Sequence, residues 1–199
     1  KFVKNKKFLL KSLNLIKKLK IKNTNVLILL NYIPELNDFL FWVQQLFAES
    51  LGKKGKGFIP LVSNAPKDHH SLLQLYLDGP KDKIFYVFSS EKKFSIKTKS
   101  TFFGEEMYHL NKKKYNTVIN SQKKAFTTIL KSKKIPFREI NIKKFDEGTL
   151  GKLFSSFIIE TIFLGKIMNI NPFDQPAVEQ VKILTKKFLK LKKFKKKDF

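Results

Sequence analysis

Three short, nearly unbroken apolar runs constrain this chain most. They lie at Asn25 to Leu30, Phe58 to Val62 and Ile84 to Phe88. A run of that length, bounded by turn residues, suits a strand buried on both faces. Segments of helical spacing separate the runs. Pro34 to Leu51 predicts a helix closed by Gly52. Asp68 is placed to cap a shorter helix to about Leu77, ended by the Asp78-Gly79-Pro80 turn. Downstream, Asn111 to Lys134 predicts a long amphipathic helix, Phe137 to Ile142 a fourth strand, and Leu150 to Met168 a mostly apolar central helix. Asp174 is placed to cap a final helix, with Pro176 in its first turn. Leu9, Leu10, Leu13, Ile16 and Leu19 predict a leading helix within 1–22, whereas 91–110 reads as an excursion with local strand character.

Strands alternating with helices specify a parallel sheet covered on both faces, a three-layer α/β/α sandwich. Ligands of such folds bind beyond the carboxyl ends of the strands. With no internal repeat and no Gly/Ser- or Pro-rich linker, residues 1–199 read as a single domain. No stretch reaches eighteen uninterrupted apolar residues, so no membrane span is expected. The start lacks an apolar signal core and an initiator Met, the latter pointing to a piece of something longer.

The charge is +25, which on its own points to a polyanionic partner. Its make-up argues otherwise. Arg138 is the only arginine among 41 basic residues, whereas readers of nucleic-acid sequence rely on the planar fork of arginine. Residues 1–20, 91–135 and 182–199 carry +8, +9 and +8. The stretches 21–90 and 136–181 carry +1 and −1, so chemistry is expected in those two. Cysteine is absent, which excludes disulfides, thiolate metal sites and cysteine nucleophiles.

Several motifs have a plain alternative. Gly52-Lys-Lys-Gly-Lys-Gly57 lacks the spacing of a phosphate loop and precedes a strand, so it reads as a flexible turn. Asp68-His69-His70 offers adjacent imidazoles, which seldom converge on one metal ion; a helix cap with two polar turn residues is the simpler reading. Glu49 alone reads as a solvated helix carboxylate, and Lys182 as one lysine among 40. The tail from Lys186 to Lys197, with Phe188, Leu189, Leu191 and Phe194 interleaved, reads as a solvated terminal helix rather than a membrane or nucleic-acid binder.

Two near-neutral segments are specific in combination. The first runs from Trp42 through Gln45-Leu-Phe-Ala-Glu49-Ser-Leu-Gly-Lys53 to Asp68-His-His70-Ser71. The second is Gly165-Lys-Ile-Met-Asn-Ile-Asn-Pro-Phe-Asp-Gln175-Pro-Ala-Val-Glu-Gln-Val-Lys182. Together they strongly resemble the glucose-6-phosphate isomerase (phosphoglucose isomerase) family. The resemblance implies a flavodoxin-like sugar-isomerase (SIS) domain, the second of the two in that family, with flanking helices. It implies interconversion of glucose 6-phosphate and fructose 6-phosphate through a cis-enediol, without metal or redox cofactor, in a cytoplasmic homodimer.

By the same resemblance Glu49 is the base that moves a proton between C2 and C1. His70 opens the sugar ring in the neighbouring subunit, and Lys182 assists at the ring and sugar oxygens. Gln45 and Gln175 are the implied substrate-binding residues. His69 stands where the family usually has Gln, and Pro176-Ala177 where it usually has Trp-Gly or Pro-Gly. The family's Ser/Thr-rich phosphate loop and its Gly-Gly-Arg segment belong to the first SIS domain and have no match in these 199 residues. The expectation is therefore a C-terminal half, inactive or nearly so alone and dependent on the first SIS domain. Neither nucleic acid nor membrane is an expected partner. The rival readings are a non-catalytic phosphosugar-binding SIS module and a basic nucleic-acid or membrane-binding module.

Overall fold

A computed structural model describes residues 24–90, 96–98 and 105–194. The expected helix within 1–22 and the last residues of the basic tail lie outside them. Among the described residues four parallel strands form one sheet in the order β2-β1-β3-β4. They are β1 (Val26–Asn31), β2 (Ile59–Asn64), β3 (Lys83–Ser90) and β4 (Phe137–Ile142). The helices are α1 (Asn37–Leu51), α2 (Lys67–Ser71), α3 (Leu73–Asp78), α4 (Tyr115–Ser132), α5 (Glu147–Met168) and α6 (Pro176–Phe194).

Alternation along the buried strands explains the layers. Leu27, Leu29, Tyr86 and Phe88 face one side, where α1 and α5 cover them with Leu40, Val43, Phe47, Phe157 and Leu164. Ile28, Leu30, Phe85 and Val87 face the other, under Tyr76 of α3 and Phe126 and Leu130 of α4. β1 and β3 are the central pair, which is why their sequences are continuously apolar. β2 lies at an edge, and there Ile59 and Leu61 are exposed.

Local details differ from the expectations. The helix foreseen from Asp68 to Leu77 breaks at Leu72 into α2 and α3. Asp68 does not cap it from outside: its carboxylate accepts from the backbone N–H of Asn64 and the hydroxyl of Ser63, tying α2 back to the end of β2. Asp174 lies two residues before α6, and one oxygen of its carboxylate accepts from Lys53. The cap that does form is Asp146, which accepts from the Thr149 N–H at 2.8 Å and starts α5 three residues earlier than its apolar pattern.

Residues 91–110 include Lys97, in an antiparallel bridge to Lys114, and a 3-10 turn at Glu105–Leu110. No described helix is long and apolar enough to cross a membrane.

Candidate active site

The direction of α1 decides where its chemistry sits. The helix leaves the carboxyl end of β1 and returns the chain to the amino end of β2, so its last turn lies at the amino edge of the sheet. Phe39, Val43 and Phe47 turn inward at helical spacing. That leaves Gln45 and Glu49, one turn apart, on a more open face of the same helix.

Gln45 Nε2 donates to Glu49 Oε1 at 3.0 Å. From far along the chain, Gln175 Nε2 donates to Glu49 Oε2 at 2.8 Å. Each oxygen of the half-buried carboxylate is thus held by one neutral amide, and each keeps acceptor capacity for a proton. Neither amide competes for that proton. The geometry is that of a carboxylate fixed in orientation.

Gln175 reaches Glu49 because α5 ends sharply beside α1. Asn169 adopts the left-handed conformation at φ 53°, and the N–H of Ile170 returns to the carbonyl of Gly165 at 3.0 Å. The chain then folds over Gly165. A Cβ there would lie 3.1 Å from three carbons of the Pro172 ring, so glycine suits the close approach and any side chain would press the ring outward. Asn171 Oδ1 accepts from the N–H of Phe173 at 3.1 Å and tightens the turn.

Two lysines of the Gly52–Gly57 segment complete the fastening. Lys53 Nζ donates to the carbonyl of Asn171 at 2.6 Å and to Asp174 Oδ1 at 2.9 Å. Lys53 holds the Asp174 carboxyl below the usual range. Lys56 Nζ donates to the carbonyl of Met168 at 2.7 Å, at the C-terminus of α5. The segment foreseen as a flexible turn is therefore a fastener, and sequence reasoning passed over Lys53. Its place in the Ala-Glu-Ser-x-Gly-Lys block was the available signal.

The other candidates stand apart from this cluster. His70 lies on α2, beyond the carboxyl end of β2 and so at the opposite edge of the sheet from Glu49. It is exposed, whereas its neighbour His69 is committed: Nε2 of His69 is hydrogen-bonded to the Tyr32 hydroxyl at 2.8 Å, and its ring packs on Phe126. Burial pushes the His69 pKa down and that of Tyr32 up. Lys182 is exposed on α6 and pairs with Glu179 at 2.7 Å. Along the helix it stands roughly 10 Å beyond Gln175.

A concave feature occupies the place where fold topology alone directs a ligand. Connections from β1 and β3 leave to opposite faces, and a cavity of about 280 Å³ opens at their carboxyl ends, lined by Tyr32, Ile33, Ser89, Ile119 and Lys123 among others. Lys123 Nζ donates to Ser89 Oγ there at 3.2 Å. Glu49 is not part of it. Among the described residues no three His, Asp or Glu side chains gather as a metal site.

Known proteins decide which family this geometry belongs to. The chain is 35% identical over 171 residues to a glucose-6-phosphate isomerase of Methanocaldococcus jannaschii, covering 85% of this chain and 42% of that protein. It is 37% identical over 158 residues to a probable glucose-6-phosphate isomerase of Methanococcus maripaludis, covering 79% and 35%. The chain belongs to the glucose-6-phosphate isomerase family. It spans about two fifths of the length of these relatives. No family model matches it. Among solved structures, a hypothetical protein of Thermus thermophilus superposes with a TM-score of 0.81 at 26% identity, covering 91% of this chain and 45% of that one. A glucose-6-phosphate isomerase of Chlamydia trachomatis has the same fold, with a TM-score of 0.69 at 15% identity, covering 85% and 35%. As a family member the chain carries the α/β/α sandwich of these isomerases, with the Glu49 block and the Gly165–Lys182 block joined by Gln175 and Lys53.

Proposed function

We propose that this chain forms the Glu49-bearing part of an aldose–ketose isomerase acting on glucose 6-phosphate and fructose 6-phosphate, and that the rest of the enzyme supplies the phosphate site. The observation that carries the reading is the Glu49 carboxylate held on both oxygens by Gln45 and Gln175. With the sugar ring open, Glu49 takes the proton from C2 while the carbonyl oxygen on C1 gains one, giving the cis-enediol. Return of the proton to C1, as the C2 hydroxyl loses its own, yields the ketose. A positioned carboxylate contributes roughly 10²–10⁴-fold to such a transfer. Gln45 and Gln175, implied by the family resemblance as substrate contacts, act first as the holders of the base.

His70 is exposed and presents an imidazole, the side-chain type suited to the acid–base work of ring opening. Its separation from Glu49 by the depth of the sheet favours service to a neighbouring subunit, and so a homodimer. Lys182 supplies a cation beside the sugar oxygens, where negative charge develops. The chain alone is inactive, and the complete enzyme works in the cytoplasm on soluble sugar phosphates.

The test is turnover of fructose 6-phosphate by the complete protein beside its Glu49→Gln variant. The expected result is a loss of at least about 100-fold in kcat with fold retained. Equal turnover by the two proteins overturns the assignment of the base.

A further inference from the structure

We propose that Lys53 is a positioning residue for the isomerase site: its ammonium fixes the 169–175 turn so that Gln175 holds the Glu49 carboxylate. The inference rests on the reading of Glu49 as the base and extends it to a residue that touches neither the sugar nor the base.

The pairing is parallel. Glu49 and Lys53 are four residues apart, and they grip the adjacent residues Gln175 and Asp174. Two independent links between the same two strips of chain fix both distance and direction, which a single link leaves free to swivel. Lys53 is well placed for this. Its side chain is only 10% exposed, unusual beside the other described lysines, most of which face water. Two of its three ammonium protons are committed, one to the Asn171 carbonyl at 2.6 Å and one to Asp174 at 2.9 Å. A main-chain acceptor at Asn171 fixes the backbone itself, which a side-chain pair alone would leave free.

Beyond the turn little else anchors this part of the chain. Every residue from Phe173 to Lys190 is exposed, so the course of α6 starts from the point where the turn is fastened. Lys182 rides on that helix. Lys53 therefore governs two groups of the proposed site: the amide that holds the base, and the helix that presents the lysine. Removing its ammonium should misplace both without touching the reacting atoms, and a shift of about 1 Å at such a site costs up to about 100-fold.

The experiment uses the complete protein and four variants: Lys53→Met, Lys53→Arg, Gln175→Leu and the Lys53→Met/Gln175→Leu pair. Fructose 6-phosphate turnover is read beside amide hydrogen exchange at Phe173 and Asp174. Lys53→Met is expected to lower kcat about tenfold or more, with KM moving less than about threefold. Lys53→Arg, which can still bridge both acceptors, should regain most of the loss. The double variant should be little worse than the worse single one, because the two residues act through one link. Exchange at the two amides should quicken at least about tenfold in Lys53→Met.

Wild-type kcat in a folded Lys53→Met protein overturns the proposal, as do losses that multiply in the double variant. Unchanged exchange overturns it whatever the activity. If Lys53→Met fails to fold, Lys53→Arg and Gln175→Leu decide: a tenfold loss of kcat in the arginine variant with unaltered exchange overturns it. A wild-type protein that turns over no sugar phosphate, yet shows the quickened exchange in Lys53→Met, overturns the isomerase reading and leaves the fastening role standing.

Discussion

Arg138 donates from one nitrogen to both carboxylate oxygens of Glu160, at 3.0 and 2.9 Å, inside the protein. Glu160 is fully buried on a mostly apolar stretch of α5. Tyr86, the register partner of Arg138 on β3, donates its hydroxyl to the same carboxylate at 2.6 Å. The guanidinium also lies over the Tyr86 ring, 4.8 Å from its centre. The lone arginine of the sequence is thus spent on the β4–α5 interface.

Loss of either charge should be severe. Arg138→Met leaves Glu160 buried without its cation, and a cost of about 3–5 kcal/mol is expected. The pair Arg138→Met/Glu160→Leu removes both charges and should cost less than Arg138→Met alone. Urea unfolding of the three proteins measures the ordering. A double variant less stable than Arg138→Met would contradict this account of the pair.

Gly165→Ala tests the fold-over of the turn that carries Gln175. The new methyl meets the Pro172 ring at 3.1 Å. Overpacking of this kind costs about 2 kcal/mol, and the gain in helix propensity returns about 1. A net loss near 1 kcal/mol is expected in chemical denaturation. A more stable variant would mean that Pro172 gives way freely.

His69 predicts how stability responds to acid. Burial lowers its pKa in the folded protein, while Asp68 works in the opposite sense and only partly offsets this. The unfolded chain therefore binds a proton first, near pH 6.5. Below that pH the unfolded state holds more protons, so stability falls as pH drops from about 7 toward 5. His69→Asn cannot titrate there and should lose this part of the slope. Denaturation midpoints at several pH values across that window provide the measurement, and identical slopes would rule the effect out.

Gln45→Leu removes one of the two amides on Glu49 from a largely exposed helix face. A lost hydrogen bond to a charged group is expected to lower kcat about tenfold in the complete enzyme, with thermal stability within about 0.5 kcal/mol of wild type. Full activity would show that Gln175 suffices to hold the base.

What the sequence made legible follows from where its signals were strong. β1 and β3 stood out because a strand covered on both faces has no polar positions to blur it. α1 and α5 showed themselves through residues such as Phe39, Val43 and Phe157 at helical spacing. The uses of carboxylates were not legible. Asp68 and Asp174 both sit where a cap is expected, yet each is claimed by a group elsewhere: the end of β2 and the ammonium of Lys53. Such competition depends on three-dimensional neighbours, which composition and period do not encode. The same holds for Glu160, whose charge argues for water although it stands on the inner stripe of α5 with Phe157 and Leu164. Glu49 and Gln175 were each recognisable from their motifs, but their contact needed the turn at Gly165 and Pro172.

The placement of Glu49 and His70 at opposite edges of the sheet has a genetic consequence. The strands separate them by roughly 20 Å. If each dimeric site borrows its histidine from across the interface, then two dead alleles, Glu49→Gln and His70→Ala, are defective in different halves of a shared unit. Co-expressed in one cell, they should rescue one another. Random pairing makes about half of the dimers mixed, each with one intact site, so about a quarter of normal activity returns. Mixing the same two alleles as separately purified, non-exchanging proteins should return none.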